Sequence, residues 1–103
     1  MTTIYRQGDV LLVQVSQIPA GAKQSTQKGD LVLAYGEVTG HAHRIRDTKK
    51  ARLWDAGAER YLQVLETVSL THEEHSTVSI PPGAYIVPTQ IEYSPAALRR
   101  VAD

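Results

Sequence analysis

The four histidines of this chain fall in two tight pairs: His41 and His43 within EVTGHAHRIR (37–46), and His72 and His75 within LTHEEHS (70–76). Neutral imidazole is the commonest protein ligand for transition metals, and carboxylates complete many such sites. Glu73 and Glu74 lie between the members of the second pair. The pattern predicts one open site in which His41, His43, His72 and His75 hold a divalent transition metal such as zinc, iron, nickel or manganese. Glu73 or Glu74 would be a further ligand or a general base. A metal held this way acts as a Lewis acid or lowers the pKa of a bound water, which makes a metal-dependent hydrolase the first functional expectation. HEEH is not the HExxH of metalloproteases, because two residues rather than three separate its histidines.

The same residues allow a chemistry without cofactor. An imidazole titrating near pH 6.5 can both give and take a proton at neutral pH. A histidine from each pair could therefore serve as base and acid in a metal-independent ribonuclease. That reaction needs cations for the phosphate, and RIRDTKKAR (44–52) carries five basic residues against one acid. Arg44, Arg46 and Lys49 are the candidate substrate-binding residues, forming a local patch for RNA. On a strand, Arg44 and Arg46 would face away from His41 and His43, which counts against this reading within one subunit. A third expectation, from another class, is a non-catalytic assembly or adaptor module that forms homo-oligomers.

Two-residue alternation of β-branched residues and tyrosine, broken by glycine and proline, dominates the chain. It predicts strands over 9–18, 31–36, 37–45, 51–57 and 59–72, a long polar loop over 19–30 and a turn over 46–50. Residues 76–80, the PPG turn and residues 84–93 read as a hairpin-like unit. Ser94 as N-cap and Pro95 at the first helical position predict a short helix over 94–103. The expected fold is a single all-β domain over 1–103, a small antiparallel barrel or sandwich of six or seven strands (1–93) closed by the terminal helix. Within it, His41 and His43 share one strand face. Leu62, Val64, Val68, Leu70 and His72 share another, buried one, so His72 is aimed inward. Gly40 leaves room beside His41 for a ligand or a second backbone.

His41, His43 and Asp47 have the spacing of the first metal-binding motif of cupins, and SIPPGAYIV resembles the proline-glycine turn of that family. The resemblance stops where cupins place a histidine after the turn. Here Ala84, Tyr85, Ile86 and Val87 follow Gly83, and no family is assigned on this ground.

Composition narrows the setting. Apolar residues make up 42% and charged residues 21%, with eleven basic and eleven acidic side chains. That balance suits a folded domain and gives no long-range attraction to nucleic acid or an anionic membrane. The chain has no cysteine, which removes disulfides, thiolate metal sites and cysteine nucleophiles. With no apolar run of membrane-spanning length, the sequence predicts a soluble cytoplasmic protein without membrane partners. A core this small favours self-association.

Overall fold

The computed structural model describes residues 2–27, 29–35 and 40–88. Among them are ten strands: β1 (Ile4–Gln7), β2 (Val10–Val15), β3 (Lys23–Gln24), β4 (Leu31–Tyr35), β5 (Ala42–Ile45), β6 (Ala51–Ala56), β7 (Glu59–Val64), β8 (Val68–Thr71), β9 (Val78–Ile80) and β10 (Gly83–Val87). They form two antiparallel sheets. The larger runs β1-β2-β10-β7-β6-β3 and the smaller β4-β5-β8-β9. The all-β expectation therefore holds, but the sheets do not close into a barrel, and no helix occurs among the described residues. The helix expected over 94–103 lies outside them. Among the described residues no helix is long and apolar enough to cross a membrane.

Alternation explains the strands. Val10 and Leu12 of β2, Ala51 and Leu53 of β6, and Val68 and Leu70 of β8 are buried, while the residues between them are not. One core takes side chains from both sheets, including Leu12, Leu53, Leu62 and Tyr85 from the larger and Ile45, Leu70 and Ile80 from the smaller. Each fully buried Leu or Ile contributes roughly 1.5–3 kcal/mol. Slipping any of these strands by one residue would turn its apolar set outward, so burial fixes the register. Tyr85 is wholly buried, its hydroxyl donates to the Pro81 carbonyl at 2.7 Å, and Tyr5 meets its ring edge-on at 5.9 Å.

Three sequence expectations are corrected. Residues 59–72 are not one strand, because β7 lies in the larger sheet and β8 in the smaller. Residues 65–67 are exposed between them, and the Leu65 N–H donates to the Lys50 carbonyl at 2.7 Å. The crossing spans an odd number of residues, so Val64 and Val68 keep the same parity. That is why the stretch reads as continuous, and Leu62, Val64, Val68 and Leu70 are all buried as expected. Likewise β9 and β10 are not a hairpin: β9 pairs with β8, while β10 lies between β2 and β7. Pro81 and Pro82 carry no N–H for a ladder and mark the passage from one sheet to the other. Finally, six or seven strands become ten. The four residues of β1 are too short and polar to show alternation, and the two-residue β3 interrupts the expected loop over 19–30.

Candidate metal centre

The β5–β8 pairing builds the site. Arg44 lies opposite Thr71 and Ile45 opposite Leu70. Continuing that register past the end of β8 sets His43 opposite His72, Ala42 opposite Glu73 and His41 opposite Glu74. The side chains follow it. The His43 and His72 ring centroids are 4.3 Å apart, the Ala42 N–H donates to Glu73 Oε1 at 2.8 Å, and His41 Nδ1 lies 3.8 Å from Glu74 Oε2. His41 also meets His72 edge-on at 5.7 Å, and His75 closes the group at 4.6 Å from His72 and 5.7 Å from His43. All four imidazoles thus gather at one end of the smaller sheet. His41, His72 and Glu73 could hold a metal ion, since one ligand atom from each lies within 4.8 Å of the others.

Hydrogen bonds fix the surroundings of two of the rings, His72 and His43. His72 Nδ1 faces the backbone N–H groups of Glu74 and His75, at 3.0 and 3.4 Å, and accepts from them. A neutral His72 therefore carries its proton on Nε2. His43 Nδ1 is 2.8 Å from Gln7 Oε1. His41 Nδ1 is buried with no hydrogen-bond partner. A buried polar atom without a partner is rare, and an ion is one of the ways such an atom is satisfied.

Burial dominates at one anchored group and backbone hydrogen bonding at the other. Burial lowers the His43 pKa to about 4, with His72 and His75 adding like-charge repulsion and Asp9 and Glu73 opposing it. His43 is therefore neutral at pH 7, with a lone pair to offer. The Glu73 carboxyl is held below its ordinary value, first by the Ala42 N–H and its own backbone N–H, and then by Arg44 and His41. An ionised carboxylate and a neutral His43 in one cluster are in the deprotonated forms that metal ligation uses.

Residues 6–90 match a family model described as Domain of unknown function (DUF8820). The chain belongs to this family. No curated protein and no solved structure matches it. The span that matches the DUF8820 model contains all four histidines, Glu73, Glu74 and the β1–β2 turn beside them.

Within this DUF8820 domain the sequence-derived candidates divide. His41, His43, His72, His75 and Glu73 come together, and Glu74 reaches the rim from an exposed position. Arg44 is drawn to the same rim despite its opposite strand parity. Its guanidinium contacts Glu73 at 3.4 Å and Asp30 at 3.6 Å, which commits its charge to carboxylates. Arg46 and Lys49 are exposed around the turn after β5 and make no side-chain hydrogen bond or ion pair with the cluster among the described residues. Two neighbours complete the cluster: Gln7 had no sequence signal of its own, and Gly8, with Asp9, read only as a turn. Gln7 is 2% exposed against His43, and Gly8 lies under His75.

Gly8, not Gly40, is where a ring approaches closely. Gly40 takes a φ of +87, where glycine is favoured, and a Cβ there would meet nothing within 4 Å among the described residues. Gly8 has a φ of +57, and a Cβ there would stand 2.6 Å from His75 Nε2. Gly8→Ala is expected to lose about 1–2 kcal/mol from the left-handed backbone and to push the His75 ring off the cluster. Urea unfolding reads the first effect and the His75 imidazole resonances the second. Unchanged resonances would contradict the close packing.

Proposed function

We propose that this domain binds one divalent transition-metal ion through His41, His72 and Glu73, with His43 and His75 as adjoining imidazoles. Zinc, iron, nickel and manganese are the metals that suit such a nitrogen and oxygen donor set. The observation that carries the reading is the buried, unpartnered Nδ1 of His41 beside an ionised carboxylate and a second imidazole. An ion held by three protein ligands keeps a position for water, and the chemistry this supplies is hydrolysis, with Glu74 at the rim as the candidate base.

Binding requires movement. Donor atoms around a tetrahedral ion stand about 3.4 Å apart, given metal–ligand lengths near 2.1 Å, and the candidate donor atoms here lie within 4.8 Å of one another. For His72 to ligate through Nε2 its proton must pass to Nδ1, where the N–H groups of Glu74 and His75 now point. Ligation through Nδ1 displaces the same two groups. Metal uptake therefore opens the turn at 72–75. Zinc titrated into untagged protein is expected to saturate at one equivalent and to shift the Glu74 and His75 amide signals more than those of β2 or β6. Absence of zinc, nickel, iron and manganese binding would overturn the proposal.

A second reading has one observation in its favour. His72, 4.3 Å from His43, carries its proton on Nε2, while His43 is held neutral and able to accept one. That is a donor beside an acceptor, as acid–base cleavage of RNA would use. The surroundings favour the metal, because carboxylates Glu73 and Glu74 border the cluster and Arg44 is taken up by Glu73 and Asp30. RNA cleavage that survives EDTA would reverse that preference.

A further inference from the structure

We infer that Gln7 is a positioning residue that fixes the proton of His43 on Nδ1 and holds both ends of the turn carrying His72, Glu73 and His75. Gln7 is the last residue of β1, in the larger sheet, yet its amide lies within the histidine cluster of the smaller one. Its Nε2 donates to the Leu70 carbonyl at 2.8 Å and to the Ser76 carbonyl at 3.0 Å. Those two carbonyls bracket residues 71–75, the segment that supplies half of the cluster.

The carbonyls also settle which end of the amide is which. Rotating it by half a turn would set Oε1 against two acceptors, losing both hydrogen bonds in a buried place where each unsatisfied group costs roughly 1–3 kcal/mol. With both N–H groups of Nε2 used, Oε1 is left facing His43 Nδ1 at 2.8 Å. Oε1 can only accept, so Nδ1 donates and carries the ring proton. The remaining nitrogen, Nε2, keeps its lone pair and is the atom through which His43 can take a proton or reach a metal. The turn that Gln7 holds carries the proposed ligands His72 and Glu73, and partners that position a metal ligand change affinity by about 10–100-fold when removed. The burial of Gln7, an uncharged polar residue, has a physical reason in these three bonds.

The proton assignment is independent of the metal, and only the affinity effect rests on the function proposed above. Full-length protein labelled with 15N in its histidines, kept metal-free near pH 7, is expected to show His43 with a protonated Nδ1 and a bare Nε2. A proton on Nε2, or an averaged pair, would overturn the inference whatever the metal does. Gln7→Met is expected to release His43 into a mixture of tautomers and to weaken zinc binding by about 10–100-fold. Gln7→Glu restores the acceptor without the two donors, so it is expected to return the proton to Nδ1. If Gln7→Glu and Gln7→Met give the same mixture, the side chain is only a clamp and the inference fails. Should either variant not fold, the wild-type spectrum decides alone. Wild-type protein that shows the assigned tautomer and binds no metal would sink the proposed function and leave the role of Gln7 standing.

Discussion

His72→Asn is expected to weaken zinc binding by more than about a hundredfold while the domain stays folded. The factor follows from comparison: losing a residue that merely orients a ligand reduces metal affinity by about 10–100-fold, and His72 is a proposed ligand. Asparagine is the informative replacement because the imidazole has two roles. Its Nδ1 caps the N–H groups of Glu74 and His75, and an asparagine carbonyl can accept from the N–H two residues on. His72→Asn thus keeps the turn and removes the ligand, whereas His72→Ala removes both and adds about 1 kcal/mol of destabilisation. Competition against a chromophoric chelator measures the affinity and urea unfolding the stability. Wild-type affinity in His72→Asn would remove His72 from the coordination set.

Acidification is expected to destabilise the metal-free domain steeply between pH 6.5 and 4, and His43 is the reason. In the unfolded chain its imidazole titrates at 6.5, and in the fold at about 4, chiefly because it is buried. Above pH 6.5 neither state binds the proton, and His43 contributes no slope. As the pH falls below 6.5 the unfolded chain takes up a proton that the fold refuses, so stability drops until about pH 4, where both states carry it. At 1.36 kcal/mol per pKa unit the loss is on the order of 3 kcal/mol. Glu73 acts in a lower window. Its folded pKa is depressed, so its stabilising effect is present above 4.5 and is lost as the pH falls through the folded value. Urea midpoints measured across this range should fall in wild type, and His43→Gln should flatten the curve between pH 6.5 and 4. Equal slopes in the two proteins would mean that His43 is not held neutral by the fold. Because metal ligands must be deprotonated, bound zinc should make the wild-type curve steeper still.

How much of this was legible in the sequence depended on distance along the chain. Pairing of the histidines and the alternation that buries Val68 and Leu70 are local, and both could be read. The meeting of the two pairs was not local. It follows from the register in which Arg44 opposes Thr71, a choice enforced by burying Ile45 and Leu70 together. Strand parity suggested that Arg44 would point away from the histidines, and its backbone position agrees. The long side chain nevertheless returns to Glu73, a reach that parity does not encode. Gln7 lies 36 residues from His43 in the chain and carries no motif. Its role emerges only when β1, in the other sheet, brings it against Leu70 and Ser76. Gly8, beside Gln7 in the chain, comes under His75 through the same approach. The split of 59–72 was hidden because the crossing preserves parity, so alternation alone could not reveal a change of sheet.

The central claim is that one metal ion sits among His41, His72 and Glu73, and anomalous diffraction from crystals of the zinc-loaded protein tests it most directly. At the zinc edge the account predicts one strong peak per chain, within about 2.2 Å of a nitrogen of His41, a nitrogen of His72 and an oxygen of Glu73. A peak elsewhere on the chain, or none at this cluster in protein shown to contain zinc, would contradict it.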